Sequence, residues 1–258
     1  MFDRRESSRF DHPPAAAGQD GVRAGQRMAH DQICRWQVFD SAVAMEKAVA
    51  AVIAESAEAS IRRTGKFSIV LTGGKTVRPI YEELRGLRTS WAAWQIFLGD
   101  ERCLPEGHPE RNSSMTSQAW LDHVPIPAAN VHLIPSELGP EQCAEHYRQT
   151  LRGVRAFDLV LLGLGQDGHV ASLFPGRPWG DESSAPSVLA VRDAPKPPPE
   201  RVSLSARRLS ETRRAIFVVA GHDKQQAVQA WREGRPLPAS SITPTEGVDV
   251  FLDREAWA

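Results

Sequence analysis

No apolar run in this sequence is long enough to cross a bilayer; its hydrophobic stretches are strand-length, well short of the roughly 20 residues a spanning helix needs. Cysteine is scarce, with only Cys34, Cys103 and Cys143, odd in number and widely spaced. Such spacing makes neither a disulfide framework nor a metal knuckle, and it fits reduced thiols in a cytoplasmic protein. An excess of one charge is also missing: the formal net charge is -1 and both signs are spread along the chain. No basic stripe therefore points to nucleic acid, and no acidic tail is present. Residues 1–31 have few large apolar side chains and no apolar segment, but carry Pro13, Pro14 and an Ala-Gly tract. They are expected to form a flexible extension rather than a secretory signal, leaving 32–258 as the folded domain.

What is present is an alternation of helical and extended patterns. From Asp40 or Ser41 as N-cap, an amphipathic helix is predicted to about Arg63, with Met45, Val49, Val52 and Ile53 on one face. Apolar strands are predicted at 67–71, 94–98, 131–134, 159–162, 201–205, 215–220 and 248–252. Helices are predicted at 77–87, 113–121, 139–152 and from Gly221 onward. With no internal repeat and no break in composition, the expected fold is a single α/β domain, Rossmann-like, with a mostly parallel sheet and helices on both faces.

Two glycine loops stand out. The apolar run ending at Leu162 passes into Gly163-Leu-Gly-Gln-Asp-Gly-His169, which sets Asp167 and His169 at the carboxyl end of a strand. Ligands of doubly wound sheets gather there, and a carboxylate beside an imidazole makes a general-base pair. The same glycines imitate a dinucleotide fingerprint, but that needs a long helix directly afterwards, and Pro175-Gly176 stop the chain within about two turns. The second loop, Thr72-Gly-Gly-Lys-Thr76, follows another strand; Gly73 and Gly74 let amides face an anion, and the Thr76 hydroxyl adds a donor. It is not a nucleotide-binding P-loop, because Ile69 stands where the first glycine is required.

Further candidates lie at other strand ends. Asp100, Glu101 and Arg102 are three consecutive ionisable residues, costly in a core unless paired or facing a ligand. His108, Arg111 and Asn112 follow on a Pro/Gly-bearing loop. Lys224 opens a helix, where the macrodipole prefers acids, so it is expected to serve an anion. No metal-ligand cluster and no Gly-x-Ser-x-Gly elbow is found, so neither a metal nor a covalent serine is expected.

In order and spacing, these stretches resemble the family of 6-phosphogluconolactonases and glucosamine-6-phosphate isomerase/deaminases. The matches are 72–76 with Tyr81, 99–105 with His108 and Asn112, 163–176, Pro195-Lys-Pro-Pro-Pro199 leading into Arg201-Val-Ser-Leu, and Gly221-His-Asp-Lys224. Departures fall at Val77, where the family usually has Pro, and at Arg111, where Ser is usual. The resemblance implies hydrolysis of 6-phospho-D-glucono-1,5-lactone to 6-phosphogluconate in the pentose phosphate pathway. It implies a small-molecule substrate, no cofactor and no metal, in a cytoplasmic monomer or weak homodimer. His169 would be the general base, Asp167 or Asp100 would orient the imidazole or sugar hydroxyls, and Arg102 would stabilise charge on the carbonyl oxygen. Gly73, Gly74, Thr76, Arg201 and Lys224 would hold the phosphate, with Asn112 and Gly168 as further substrate contacts. Two alternatives remain: an amino-sugar-phosphate isomerase/deaminase, whose Asp-Gly-His is typically followed by a run carrying another acid, and a sugar-phosphate-sensing domain of a regulator. Here 170–175 carries no acid, and 1–31 carries no helix-turn-helix pattern.

Overall fold

The computed structural model describes residues 32–257, and the expectation of a flexible segment at 1–31 lies outside the described residues. The chain opens with strand β1 (Cys34–Phe39) and helix α1 (Ala42–Thr64). The Ser41 side chain caps α1 by accepting from the Ala44 amide at 3.2 Å, and Gly65 ends it in the left-handed region. Met45, Val49, Ile53 and Ala57, one helical turn apart, form its buried stripe. Then come β2 (Phe67–Leu71), α2 (Arg78–Leu84), β3 (Trp94–Leu98), β4 (Asp100–Arg102) and α3 (Asn112–Ala119). The middle of the chain holds β5 (Val131–His132), α4 (Pro140–Thr150), β6 (Phe157–Gly163) and β7 (Val188–Val191). It closes with β8 (Arg201–Leu204), α5 (Ala206–Ser210), β9 (Thr212–Val219), α6 (Gln225–Arg232), β10 (Val248–Asp253) and α7 (Arg254–Trp257).

Seven strands form one sheet in the order β1-β10-β9-β6-β2-β3-β5, and every neighbouring pair is parallel. Central strands are buried on both faces, which fits the mostly apolar sequences of β2, β6 and β10, broken by Ser68, Asp158 and Asp249. The strand order, read with the right-handed crossover rule, puts α1, α2 and α3 on one face and α4 and α6 on the other, and α2 packs on both α1 and α3. From β2 the chain moves outward to β3 and β5; from β6 it moves the opposite way to β9 and β10. The carboxyl ends of β2 and β6 therefore flank the switch point, the crevice where such sheets take ligands. Both glycine loops emerge there.

The sheet and its long helices agree with the sequence reading; the differences are local. β1 extends the ordered chain upstream of the predicted helix. The strand at 131–134 shortens to two residues, and the helix over 77–87 to residues 78–84. The strand at 201 does not join the parallel sheet: β8 pairs antiparallel with β4 and β7 in a second, three-stranded sheet. Three consecutive polar residues, 100–102, are drawn into that ladder rather than left as a loop. Among the described residues, no helix is long and apolar enough to cross a membrane.

Candidate active site

The loop after β2 is fixed from below by a tyrosine. The buried Tyr81 hydroxyl accepts from the Thr72 amide at 3.1 Å and donates to the Thr72 carbonyl at 2.8 Å. Beyond Thr72 the chain turns through Gly73, Gly74, Lys75 and Thr76, all lining a cavity of about 650 Å³ at the switch point. Among the described residues, none of the amides at 73–76 finds an acceptor. Four free donors in one turn make a concavity suited to an anion. Gly73 is required by close approach: a Cβ there would stand 1.9 Å from Asn112 Oδ1.

The loop after β6 delivers the imidazole. Gly165 donates to the His169 carbonyl at 2.8 Å, and Gly168 to the Gly165 carbonyl at 2.9 Å. Gly165 is needed because a Cβ at that position would lie 1.9 Å from His169 Nδ1. The ring is thereby pressed against bare backbone, with Phe174 at 4.9 Å on another side. His169 Nδ1 meets Asp167 Oδ1 at 2.5 Å, and Lys196 Nζ stands 3.4 Å from the same oxygen. With Nδ1–H donating to the Asp167 carboxylate, Nε2 carries the lone pair, and His169 lines the cavity. Burial pulls the His169 pKa below its ordinary value, against the opposing pull of Asp167. Burial pushes the Asp167 carboxyl up, but the bond to His169 and the charge of Lys196 more than offset it, leaving it below the usual range. The pair is thus a neutral imidazole on an ionised carboxylate, the state a general base needs at neutral pH.

The other expected residues are distributed around these loops. Asp100, Arg102, Asn112, Arg201 and Lys224 all line the same cavity. Asp100 does not touch the imidazole: its Oδ2 accepts from Ser172 Oγ at 2.6 Å and its Oδ1 from Asn112 Nδ2 at 3.0 Å. Of the two carboxylates the sequence left open, Asp167 is the one on His169. Arg102 donates from Nη1 to the Glu110 carbonyl, while its buried Nε has no partner. Arg201 directs Nε to the Pro198 carbonyl at 3.0 Å and Nη2 to the Lys196 carbonyl at 2.9 Å, and its guanidinium lies 5.5 Å over Phe174. It therefore ties down the proline-rich loop at the imidazole end. Lys224 Nζ rests 3.1 Å from Asp223 Oδ2, which also accepts from Gln166 Nε2 at 2.7 Å. Gly168, expected at the substrate, is not among the cavity-lining residues; it holds φ 82° and packs on Leu237.

Sequence reasoning passed over Lys75, Gln166, Lys196, Asp223 and Ser172. Lys75 and Lys196 sat inside quoted motifs, and a count of cations near the glycine loops would have found them. Ser172 also lies in a matched stretch, but nothing in the sequence pairs it with Asp100, 72 residues away. Arg111, a departure from the family pattern, is buried and lies 3.6 Å from Glu101 and 3.3 Å from Glu137. Among the described residues, no group of three or more His, Cys, Asp or Glu is placed to hold a metal ion.

A doubly wound α/β sheet with four free amides and a His–Asp pair at its switch point is the layout of a site for a small anionic ligand. The chain matches the family model of glucosamine-6-phosphate isomerases/6-phosphogluconolactonase over residues 40–251. It is 34% identical over 239 residues to the 6-phosphogluconolactonase of Mycobacterium leprae, covering 86% of this chain and 96% of that one. Against the 6-phosphogluconolactonase of Streptomyces coelicolor it is 38% identical over 207 residues, covering 73% and 78%. The crystal structure of 6-phosphogluconolactonase from Thermotoga maritima superposes with a TM-score of 0.80 at 27% identity, covering 86% of this chain and all of that one. This chain belongs to the glucosamine-6-phosphate isomerase/6-phosphogluconolactonase family.

Proposed function

We propose that the chain hydrolyses 6-phospho-D-glucono-1,5-lactone to 6-phosphogluconate, the pentose-phosphate reaction named by its relatives, with His169 as general base. The observation that carries this reading is the single cavity shared by the free amides at 73–76 and the imidazole of His169. A hexose phosphate needs an anion cradle at one end and proton chemistry at the other, and both occur here. The phosphate lies on the amides of Gly73 and Gly74 with the Thr76 hydroxyl, joined by Lys75 and Lys224. The lactone carbonyl lies toward His169. Nε2 takes a proton from water as the oxygen attacks the carbonyl carbon, and Asp167 holds the imidazolium that forms. Arg102, with Lys196 nearby, faces the negative charge on the carbonyl oxygen; one such donor contributes about 3 kcal/mol in comparable sites. When the ring C–O bond breaks, His169 returns the proton to the departing ring oxygen. A lactone is already an activated ester, so no covalent nucleophile is required. Asp100 serves the site from below, and Arg201 holds the loop that carries Lys196.

The isomerase/deaminase alternative asks for a carboxylate that moves protons between carbons. Both cavity-lining carboxylates are engaged, Asp100 by Ser172 and Asn112, Asp223 by Gln166 and Lys224. The three free cysteines suit a reducing cytoplasm. The test offers purified protein freshly made 6-phosphogluconolactone and follows product above spontaneous hydrolysis. His169→Ala is expected to lower the enzymatic rate by about 10²–10⁴ with the fold retained. A variant keeping most of the wild-type rate would remove His169 as the base.

A further inference from the structure

The sheet does not by itself fix the distance between cradle and base. β2 and β6 are neighbours, but their ladder registers only Ile69 with Leu159 and Val70 with Val160, so it ends before either loop begins. A buried polar chain spans the gap instead. Ser172, three residues after His169, donates to Asp100 Oδ2 at 2.6 Å. Asn112 Nδ2 donates to Asp100 Oδ1 at 3.0 Å and to the Asp100 carbonyl at 2.9 Å. The Asn112 carboxamide then sits against Gly73, in the space a Cβ would fill. Asn112 is itself held by Glu101, whose carboxylate accepts from the amides of Asn112 at 2.7 Å and Ser113 at 2.8 Å. Ser172, Asp100, Glu101 and Asn112 are all at least 95% buried.

The turn that presents Ser172 is over-determined. Val170 and Leu173 exchange backbone bonds, the Ser172 amide donates to Ser203 Oγ at 3.2 Å, and Ala171 is held at φ 49°, a region a residue with a Cβ rarely adopts. Such conformations persist where the surroundings enforce them, and they gather at functional sites.

We infer that Ser172 is a positioning residue: through Asp100 and Asn112 it holds the imidazole loop at a set distance from the amide cradle, so that phosphate binding is converted into alignment of the lactone carbonyl with His169. The inference rests on the proposed reaction and sharpens it. Binding energy from a remote phosphate raises kcat only if the span to the reacting carbon is fixed.

The experiment begins with wild-type turnover of 6-phosphogluconolactone, whose absence would sink the proposed reaction itself rather than this refinement. Ser172→Ala is then expected to lower kcat by about 10- to 100-fold, with KM changed far less. The decisive readout is a double-mutant cycle with Lys224→Ala. If Ser172 links the two ends, Lys224→Ala costs at least about threefold less in kcat/KM in the Ser172→Ala background than in the wild type. Losses that simply multiply, or an unchanged kcat in Ser172→Ala, overturn the inference. Should Ser172→Ala not fold, the near-isosteric Ser172→Cys carries the same cycle; its weaker donor predicts a smaller loss with the same non-multiplicative pattern.

Discussion

Replacing Gly165 by alanine tests the site without touching any reacting group. Gly165 does not occupy the left-handed region, so the backbone accepts alanine there. The added Cβ would nevertheless lie 1.9 Å from Nδ1, 2.2 Å from Cε1 and 2.6 Å from Cγ of His169. To regain ordinary contact the ring must retreat by roughly 1.5 Å. That displacement breaks the 2.5 Å contact with Asp167 and carries Nε2 off the line to the carbonyl. A misplacement of about 1 Å costs on the order of 10²-fold in rate. Steady-state kinetics on 6-phosphogluconolactone should therefore show kcat down by about 10² or more. KM should stay near wild type, because the cradle at 73–76 is on a different loop. Thermal unfolding should remain cooperative. A Gly165→Ala enzyme of wild-type kcat would mean that the ring position seen here is not the working one, and the reasoning from this loop would fail.

The pH profile follows from the same pair. Protonated His169 cannot accept a proton, and burial, opposed by Asp167, holds its pKa below the ordinary value. The rate should be flat through neutral pH and fall only on the acid side of the usual histidine range. Because the Asp167 carboxylate raises the imidazole pKa, Asp167→Asn should move the acid limb to lower pH while reducing the plateau; a limb shifted upward would contradict the assignment. Lys224→Ala should raise KM about tenfold and lower kcat as well, as expected for a cation whose grip on the phosphate also aligns the carbonyl. An unchanged KM removes Lys224 from the cradle.

Much of this site was legible because the chemistry sits at strand ends. Apolar runs such as Leu159–Leu162 announce buried parallel strands, and glycines directly after them mark where backbone must turn sharply. That logic found both loops and His169, which line one cavity. It missed β1, a half-exposed edge strand whose only partner among the described residues, β10, lies more than 200 residues away. The small antiparallel sheet was also hidden: β4 is a three-residue polar segment, and its pairing with β8 joins Asp100 to Ser203 and Arg102 to Arg201, far apart in the chain. Choosing between Asp167 and Asp100 as the imidazole partner needed coordinates, since both stand at strand ends. Their roles separate only when Ser172 and Asn112 are seen to occupy Asp100. Arg111 was an unexplained departure in the sequence; in the fold it is a buried cation facing Glu101 and Glu137.

The claim beneath the whole account is orientation, phosphate on one glycine loop and reacting carbonyl at the other. A crystal structure with bound 6-phosphogluconate measures it directly. The account predicts the phosphate on the amides of Gly73 and Gly74 beside Lys224, with the carboxylate within hydrogen-bonding reach of His169 Nε2. A product bound with its phosphate at His169, or outside this cavity, would contradict it.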